Sequence, residues 1–291
     1  MEGQKDVSWE ALSKAVIATV ILGGEVEEEV LDDLDELASL LKTLGIEVVG
    51  RVVQRRQKFS SHSLMGSGKI REIRELACGI GAGAVVFDRQ LSGPQVRNLE
   101  KMLDLPALDR SSVILEIFSR HARTAQAKTQ VEIARLEYLL PRLTGAWTHF
   151  QRQTGGGLRS RGMGEKQIEV DRRRARERIS RLQAKLGQIQ KEMKTQRRAR
   201  GREWKVALVG YTNTGKTTLM RNLTMSKVAG QDELFATLDT NIKVIDPRTR
   251  PKVLLSDTVG FIRNLPDSLV ESFRSTLQEA VEADLLLHVI D

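Results

Sequence analysis

Residues 210–217 read Gly-Tyr-Thr-Asn-Thr-Gly-Lys-Thr, a complete G-x-x-x-x-G-K-[ST] loop, and such a loop works only between a strand and a helix. Both flanks are present. Val206, Ala207, Leu208 and Val209 form an apolar strand before it, and Leu219, Met220 and Leu223 recur at helical spacing after it. Glycines let the backbone wrap phosphate groups, whose charge meets amide N–H groups and a helix N-terminus. The pattern implies a nucleoside triphosphate held by Gly210, Tyr211, Thr212, Asn213, Thr214, Gly215, Lys216, Thr217 and Thr218. Lys216 is the candidate catalytic cation, reaching the β- and γ-phosphates. The Thr217 hydroxyl is a candidate Mg²⁺ ligand.

Two strand-like runs follow, Asn241 to Asp246 and Lys252 to Ser256, joined by Pro247-Arg-Thr-Arg-Pro251. So short a connection predicts an antiparallel hairpin. The second run ends in Asp257-Thr258-Val259-Gly260, a D-x-x-G at the carboxyl end of a strand. All four residues are candidate nucleotide contacts. Asp257 is placed to hold Mg²⁺ directly or through water, and the Gly260 amide to meet the γ-phosphate. This order of elements resembles the translation-factor and Ras-like class of GTPases. In that class a Thr between loop and hairpin completes the metal shell. Thr237 is the first choice here, as metal ligand and catalytic residue, and Thr240 the second; the sequence does not separate them.

Two absences shape the expected chemistry. Phe261 stands where Ras carries a water-orienting Gln, and Phe can neither donate nor accept a proton. Hydrolysis is therefore expected to be slow alone and stimulated by a partner. The sequence runs to Leu285-Leu-Leu-His-Val-Ile-Asp291, read as the next core strand, and contains no N-K-x-D. Guanine over adenine thus follows from class alone. Roughly 90 residues from 203 onward are about half of what a G domain ordinarily needs, so a C-terminally truncated G domain is expected.

The +8 net charge is concentrated. Asp171 to Arg202 carries 13 Lys/Arg against 3 Asp/Glu, a net of +10 that leaves −2 for the rest of the chain. That is the footprint of a nucleic-acid-binding element rather than a mixed-sign solvated face. Hydrophobic residues at 40% and charged residues at 29% are ordinary for a globular protein. A single cysteine, Cys78, excludes a disulfide framework and makes a reducing cytoplasm the default. The longest early apolar run, Ala15 to Leu22, is too short to span a bilayer, so no membrane association is expected. His62, His121, His149 and His288 are scattered without metal-ligand spacing.

Residues 10–112 alternate strand-like and helix-like segments, which predicts a small α/β domain with a mostly parallel sheet. Ala15–Leu22, Glu47–Arg55 and Ala84–Phe87 read as strands. Val26, Val30, Leu34, Leu37, Leu41 and Leu44 mark an amphipathic helix, Ile70 to Ala77 a second, and Gly93 to Leu103 a third capped by Ser92. Gly66-Ser-Gly-Lys69 resembles a phosphate loop but fails the pattern, and reads first as a turn that opens a helix.

Residues 113–202 are helical in rhythm. Ile133, Leu136, Leu140 and Leu143 form one stripe. Ala175, Ile179, Leu182, Leu186, Ile189 and Met193 form a heptad seam, and two such helices most simply pair as an antiparallel, coiled-coil-like hairpin. Between them Gln153 to Gly164 holds five glycines and two arginines in twelve residues. Close backbone approach with guanidinium groups alongside suits phosphate-rich RNA. Arg159, Arg161, Lys166, Arg172, Arg173 and Arg174 are the candidate RNA contacts.

Gly155-Gly-Gly-Leu-Arg-Ser-Arg-Gly-Met-Gly-Glu165 followed by Ile168-Glu-Val-Asp171-Arg-Arg resembles the glycine-rich signature of the HflX family of ribosome-associated GTPases. So do Leu99-Glu-Lys, Val131-Glu-Ile-Ala-Arg-Leu-Glu-Tyr-Leu-Leu-Pro141-Arg-Leu, the phosphate loop and Asp257-Thr-Val-Gly-Phe-Ile262. Met163 and Lys166 depart from a usual Pro and Thr. The resemblance implies an N-terminal α/β domain (10–112), a helical hairpin (113–202, glycine-rich loop 153–165) and a P-loop G domain from 203. It also implies a GTPase that binds the rRNA of the large ribosomal subunit, with ribosome splitting or rescue under stress in some members; a cytoplasmic monomer that hydrolyses GTP to GDP with Mg²⁺ is expected. The competing expectation is an RNA- or ribosome-binding module without effective turnover.

Overall fold

The computed structural model describes residues 8–142, 161–198, 203–224, 234–235, 241–265 and 280–290. The chain divides into two compact units, one of residues 1–116 with 136–177 and the other of 117–135 with 178–291.

In the first unit β1 (Lys14–Leu22), α1 (Glu27–Thr43), β2 (Glu47–Arg56), α2 (Ser67–Ile80), β3 (Ala84–Phe87), α3 (Gly93–Leu103) and β4 (Ala107–Asp109) alternate. The sheet has order β2-β1-β3-β4 and every pairing is parallel. A parallel sheet is covered on both faces, so its central strands are continuously buried, as Ala15–Ile21 (apolar but for Thr19) and Ala84–Phe87 are. Val16, Ala18, Val20, Val85 and Phe87 share one core with Ile70, Ile73, Val96 and Leu99 of α2 and α3. Strand order reverses at β1. With right-handed crossovers, α1 therefore lies on the opposite face, burying Val30, Leu34, Leu37, Leu40 and Leu41.

The helix ends follow local chemistry. Ser92 and Gln95 form a reciprocal capping box on α3, with Pro94 in its first turn. Gly81, at φ 67°, closes α2 in the left-handed conformation open to glycine. Gly66-Ser-Gly-Lys69 does open α2, and Lys69 pairs with Glu72 at 2.7 Å.

The strand ends carry a polar network. Asp109 is fully buried and satisfied: it accepts from Leu91 N–H (3.0 Å), Ser112 N–H (3.0 Å), Tyr138 O–H (2.7 Å) and Arg142 (2.7 Å). Arg110, which begins α4 (Arg110–His121), pairs with Asp88 at 2.7 Å and with Glu36.

The second unit holds the other sheet, of order β6-β7-β5-β8. β5 (Trp204–Gly210) pairs in parallel with β7 (Val253–Asp257) and β8 (Leu285–Val289), whereas β6 (Asn241–Val244) is antiparallel to β7. The hairpin read from the short Pro247–Pro251 turn is thus present. β8 differs from the expected core strand. It joins the sheet through its backbone, but Leu285 and Leu286 are more than half exposed, because no layer of the described residues covers them.

α5 (Ala125–Leu139) and α6 (Arg161–Arg198) are the two long helices. Arg178 of α6 clasps Glu132 of α5 at 2.8 Å. The α6 seam is its inner side, with Ile179 and Leu182 buried. Two expectations need correction. α6 begins at Arg161, inside the stretch read as loop, because extending a helix already nucleated costs little even through two glycines. And α5 buries Thr129, Gln130, Val131 and Ala134 as well as Ile133, so more than one stripe of this helix is covered.

No described helix is long and apolar enough to cross a membrane, and no cluster of potential metal-ligating His, Cys, Asp or Glu occurs among the described residues.

Candidate nucleotide-binding site

β5 delivers the phosphate loop and α7 (Lys216–Thr224) leaves it. The loop bends through positive φ at Asn213 (63°) and Gly215 (81°), conformations that Asn and Gly tolerate. Thr214 Oγ1 donates to the Tyr211 carbonyl at 2.9 Å and Leu219 N–H to the Gly215 carbonyl at 2.8 Å, which fixes the turn onto the helix. Gly210 is required sterically: a Cβ there would stand 2.3 Å from the Val289 carbonyl oxygen.

Because β7 runs beside β5 in register Leu208 to Asp257, the D-x-x-G emerges directly next to the loop. Thr217 Oγ1 donates to Asp257 Oδ2 at 2.7 Å. Gly260 lies so close that a Cβ would meet Thr212 Cα at 2.7 Å and Lys216 Nζ at 2.9 Å. Backbone bonds lock the two loops: Phe261 N–H donates to the Gly210 carbonyl (3.0 Å) and Thr212 N–H to the Phe261 carbonyl (2.8 Å). The Tyr211 hydroxyl accepts from Arg263 N–H at 2.8 Å.

Lys216 is buried and donates to the Tyr211 carbonyl. Burial lowers its pKa, and the charge of Asp257 works in the other direction. A buried ammonium must keep hydrogen-bond partners, and the Tyr211 carbonyl is one. The residues fit a phosphate group: the buried Lys216 cation lies on a loop of backbone amides beside Gly260, and the same loop carries a buried Thr212 hydroxyl with no hydrogen-bond partner. The fit to Mg²⁺ rests on two hard oxygen donors, Thr217 and Asp257, already within hydrogen-bond reach.

The structure brings Tyr211, Thr212, Lys216, Thr217, Asp257 and Gly260 together. Asn213 and Thr218 are exposed at the loop and in the first turn of α7. Thr258 turns its hydroxyl to the Leu208 carbonyl at 2.7 Å, and Val259 is buried. Thr237, Thr240 and Arg159 lie outside the described residues. Arg161 and Lys166 fall in α6 without described side chains. Arg173 and Arg174 expose 71% and 73% of their side chains and make only 3.8 Å pairs within the helix, so they stay open to a further anion. Arg172 is half-buried. Sequence reasoning missed the Tyr211–Arg263 and Phe261 backbone contacts, because main-chain bridges between loops leave no residue-type signal.

A phosphate loop on a central strand, a D-x-x-G ending its parallel neighbour and an antiparallel strand beyond define a P-loop nucleotide-binding domain of the G-domain type. Three family models match in succession: "GTP-binding GTPase N-terminal" over residues 31–119, "GTP-binding GTPase Middle Region" over 121–200, and "50S ribosome-binding GTPase" over 205–291. The GTPase HflX of Flavobacterium psychrophilum is 48% identical over 96% of this chain and 67% of its own length. That of Escherichia coli is 44% identical over 91% of this chain and 62% of its own. The chain belongs to the HflX family of GTPases and spans about two thirds of the length of these curated relatives. In structure it is similar to the SsGBP and GDP complex, with TM-score 0.53, 26% identity, and coverage of 96% of this chain and 72% of that one.

Proposed function

We propose that this chain binds GTP with Mg²⁺, hydrolyses it to GDP and phosphate, and associates with the large ribosomal subunit in a nucleotide-dependent way. The carrying observation is the junction of Lys216, Thr217, Asp257 and Gly260 beside one phosphate loop. When bound, Mg²⁺ supplies charge neutralisation at the β- and γ-phosphate oxygens. Thr217 and Asp257 would hold it, and Thr237 would complete the shell from the segment before β6. Lys216 would exchange the Tyr211 carbonyl for the phosphates, and the Gly260 amide would meet the γ-phosphate. Phe261 is half exposed and offers no proton acceptor for the attacking water, so turnover alone is slow and rises with a partner.

The docking surface is the glycine-rich stretch with Arg159, Arg161 and Lys166, continued by Arg172, Arg173 and Arg174 along α6 toward rRNA phosphates. Splitting or rescue of ribosomes under stress, in the cytoplasm and as a monomer, is the corresponding physiological role. Co-sedimentation with purified large subunits, with a non-hydrolysable GTP analogue, GDP or no nucleotide, tests the whole reading. Pelleting favoured by the analogue and weakened steeply by salt is expected. Equal pelleting in all three states would leave an RNA-docking module, and none at all would remove the ribosome.

A further inference from the structure

Tyr211 ties the phosphate loop to the chain beyond the D-x-x-G by two kinds of bond. Its backbone forms a parallel bridge with Phe261, in which Phe261 N–H donates to the Gly210 carbonyl at 3.0 Å and Thr212 N–H to the Phe261 carbonyl at 2.8 Å. Its phenol hydroxyl then accepts from Arg263 N–H at 2.8 Å. The bridge asks for no particular side chain, whereas the second bond asks for a hydroxyl at the reach of a tyrosine ring. Arg263 and Asn264 are the middle residues of a turn, with Asn264 at φ 53°, a conformation that Asn tolerates. The N–H of a first middle residue finds no acceptor within its own turn, so it needs one from outside. On the other side of Gly260, Asp257 is held by Thr217 and the Thr258 hydroxyl by the Leu208 carbonyl. Gly260 thus sits between two pinned stretches, where a Cβ would stand 2.7 Å from Thr212 Cα.

We propose that the Tyr211 side chain is a positioning group for the Gly260 amide: its hydroxyl holds the chain beyond Gly260 against the phosphate loop and so favours a nucleoside triphosphate over a diphosphate. This rests on the reading that the Gly260 N–H meets the γ-phosphate. GDP lacks that phosphate, so a displaced Gly260 amide weakens the hold on GTP and leaves the hold on GDP to the loop itself. The hydroxyl acts through the backbone of residues 261–263, in contrast to the Tyr211 main chain, whose carbonyl accepts from Lys216 and from Thr214 Oγ1 at 2.9 Å. One residue therefore shapes the phosphate loop with its backbone and places the neighbouring loop with its side chain. A hydroxyl that only stabilised the fold would affect both nucleotides alike.

The test uses the full chain and compares Tyr211→Phe, Arg263→Pro, Arg263→Ala and the double variant of the first two. GTP turnover and the affinities for GDP and a non-hydrolysable GTP analogue are measured in Mg²⁺. Tyr211→Phe keeps the ring and the backbone bridge and loses only the hydroxyl. The ratio of analogue affinity to GDP affinity should fall about threefold to tenfold, the effect of one hydrogen bond, and kcat should fall with it. Arg263→Pro removes the donor N–H from the other side, at a turn position that accepts proline when the next residue has positive φ, and should lower the ratio to the same extent. Arg263→Ala keeps that N–H and should hold the ratio within about twofold. The double variant should be no worse than either single one, because both remove one bond. An unchanged ratio in a folded Tyr211→Phe, or an equal fall in both affinities, would overturn the inference. So would a fall in Arg263→Ala as large as in Arg263→Pro, which would assign the effect to the guanidinium. Should Tyr211→Phe fail to fold, the two Arg263 variants carry the same comparison. Absent GTP turnover in the wild-type chain would remove the function proposed above, and with it this inference, by a separate route.

Discussion

Thr217 donates its hydroxyl to Asp257 at 2.7 Å, joining the first turn of α7 to the last residue of β7. These residues are forty apart in sequence and meet because β5 and β7 are parallel neighbours in register. Their contact brings two oxygen donors together at the loop that also holds the buried Lys216. A divalent cation would replace that hydrogen bond with two coordination bonds or one bond and a bridging water.

Thr217→Ala should therefore abolish the gain in nucleotide affinity that Mg²⁺ provides while leaving the fold intact. Binding in Mg²⁺ should drop by roughly tenfold or more, about 1.4 kcal/mol, to the level seen with chelator. Titration of a fluorescent GTP analogue with and without EDTA measures this. A variant that still gains affinity from Mg²⁺ would show the metal held elsewhere.

Gly260→Ala should be far worse than an ordinary glycine substitution. Its new methyl would meet Thr212 Cα at 2.7 Å and Lys216 Nζ at 2.9 Å. Lys216 can swing away, but the backbone of Thr212 cannot. Overpacking of this kind costs about 1–3 kcal/mol. Turnover is expected to fall below detection, with a lower urea midpoint. Wild-type turnover would mean that the two loops separate before nucleotide binds.

How much of this was legible beforehand depends on the kind of signal. Ser92 announced a helix start through its own chemistry, and the α3 boundaries match it to the residue; the reciprocal arm from Gln95 emerged only in the structure. The meeting of the phosphate loop with Asp257 was legible because G-x-x-x-x-G-K-[ST] and D-x-x-G are residue-type patterns of fixed spacing, each at the end of a strand. Burial along α5 was harder to read, since Thr129 and Gln130 are buried polar residues that break an apolar stripe. The Phe118–Phe235 contact left no trace at all. Two phenylalanines 117 positions apart look like any other core residues until tertiary structure pairs them.

Removing the Ser92 hydroxyl should cost about 1 kcal/mol, the ordinary worth of such a cap. Ser92→Ala removes the hydroxyl that accepts from the Gln95 N–H, keeps the backbone N–H of residue 92 that donates to the Gln95 side chain, and leaves the α3 core residues Val96 and Leu99 in place. The urea midpoint should shift with an unchanged slope. Ser92→Asp should recover most of the loss, because a carboxylate also accepts from the N3 amide. No recovery would mean that Ser92 matters for something other than the cap.

The Arg110 cluster should make stability depend on pH through Asp88. One guanidinium serves two carboxylates, Asp88 and Glu36, and all three side chains are largely buried. Burial first, and the charge of Asp33 second, raise the Asp88 carboxyl from 3.8 to about 6, with Arg89 opposing. Between those two values the folded protein keeps a proton that the unfolded chain has lost. Stability from this group is thus fully present below about 3.8 and is lost as pH rises through about 6. At 1.36 kcal/mol per pH unit, the change amounts to about 3 kcal/mol at most. Asp88→Asn removes the titration but keeps an oxygen for Arg110, so its urea midpoint should vary less from pH 4 to 6.5 and exceed wild type at neutral pH. If both proteins follow the same pH curve, Asp88 is ionised throughout and Arg110 neutralises it fully.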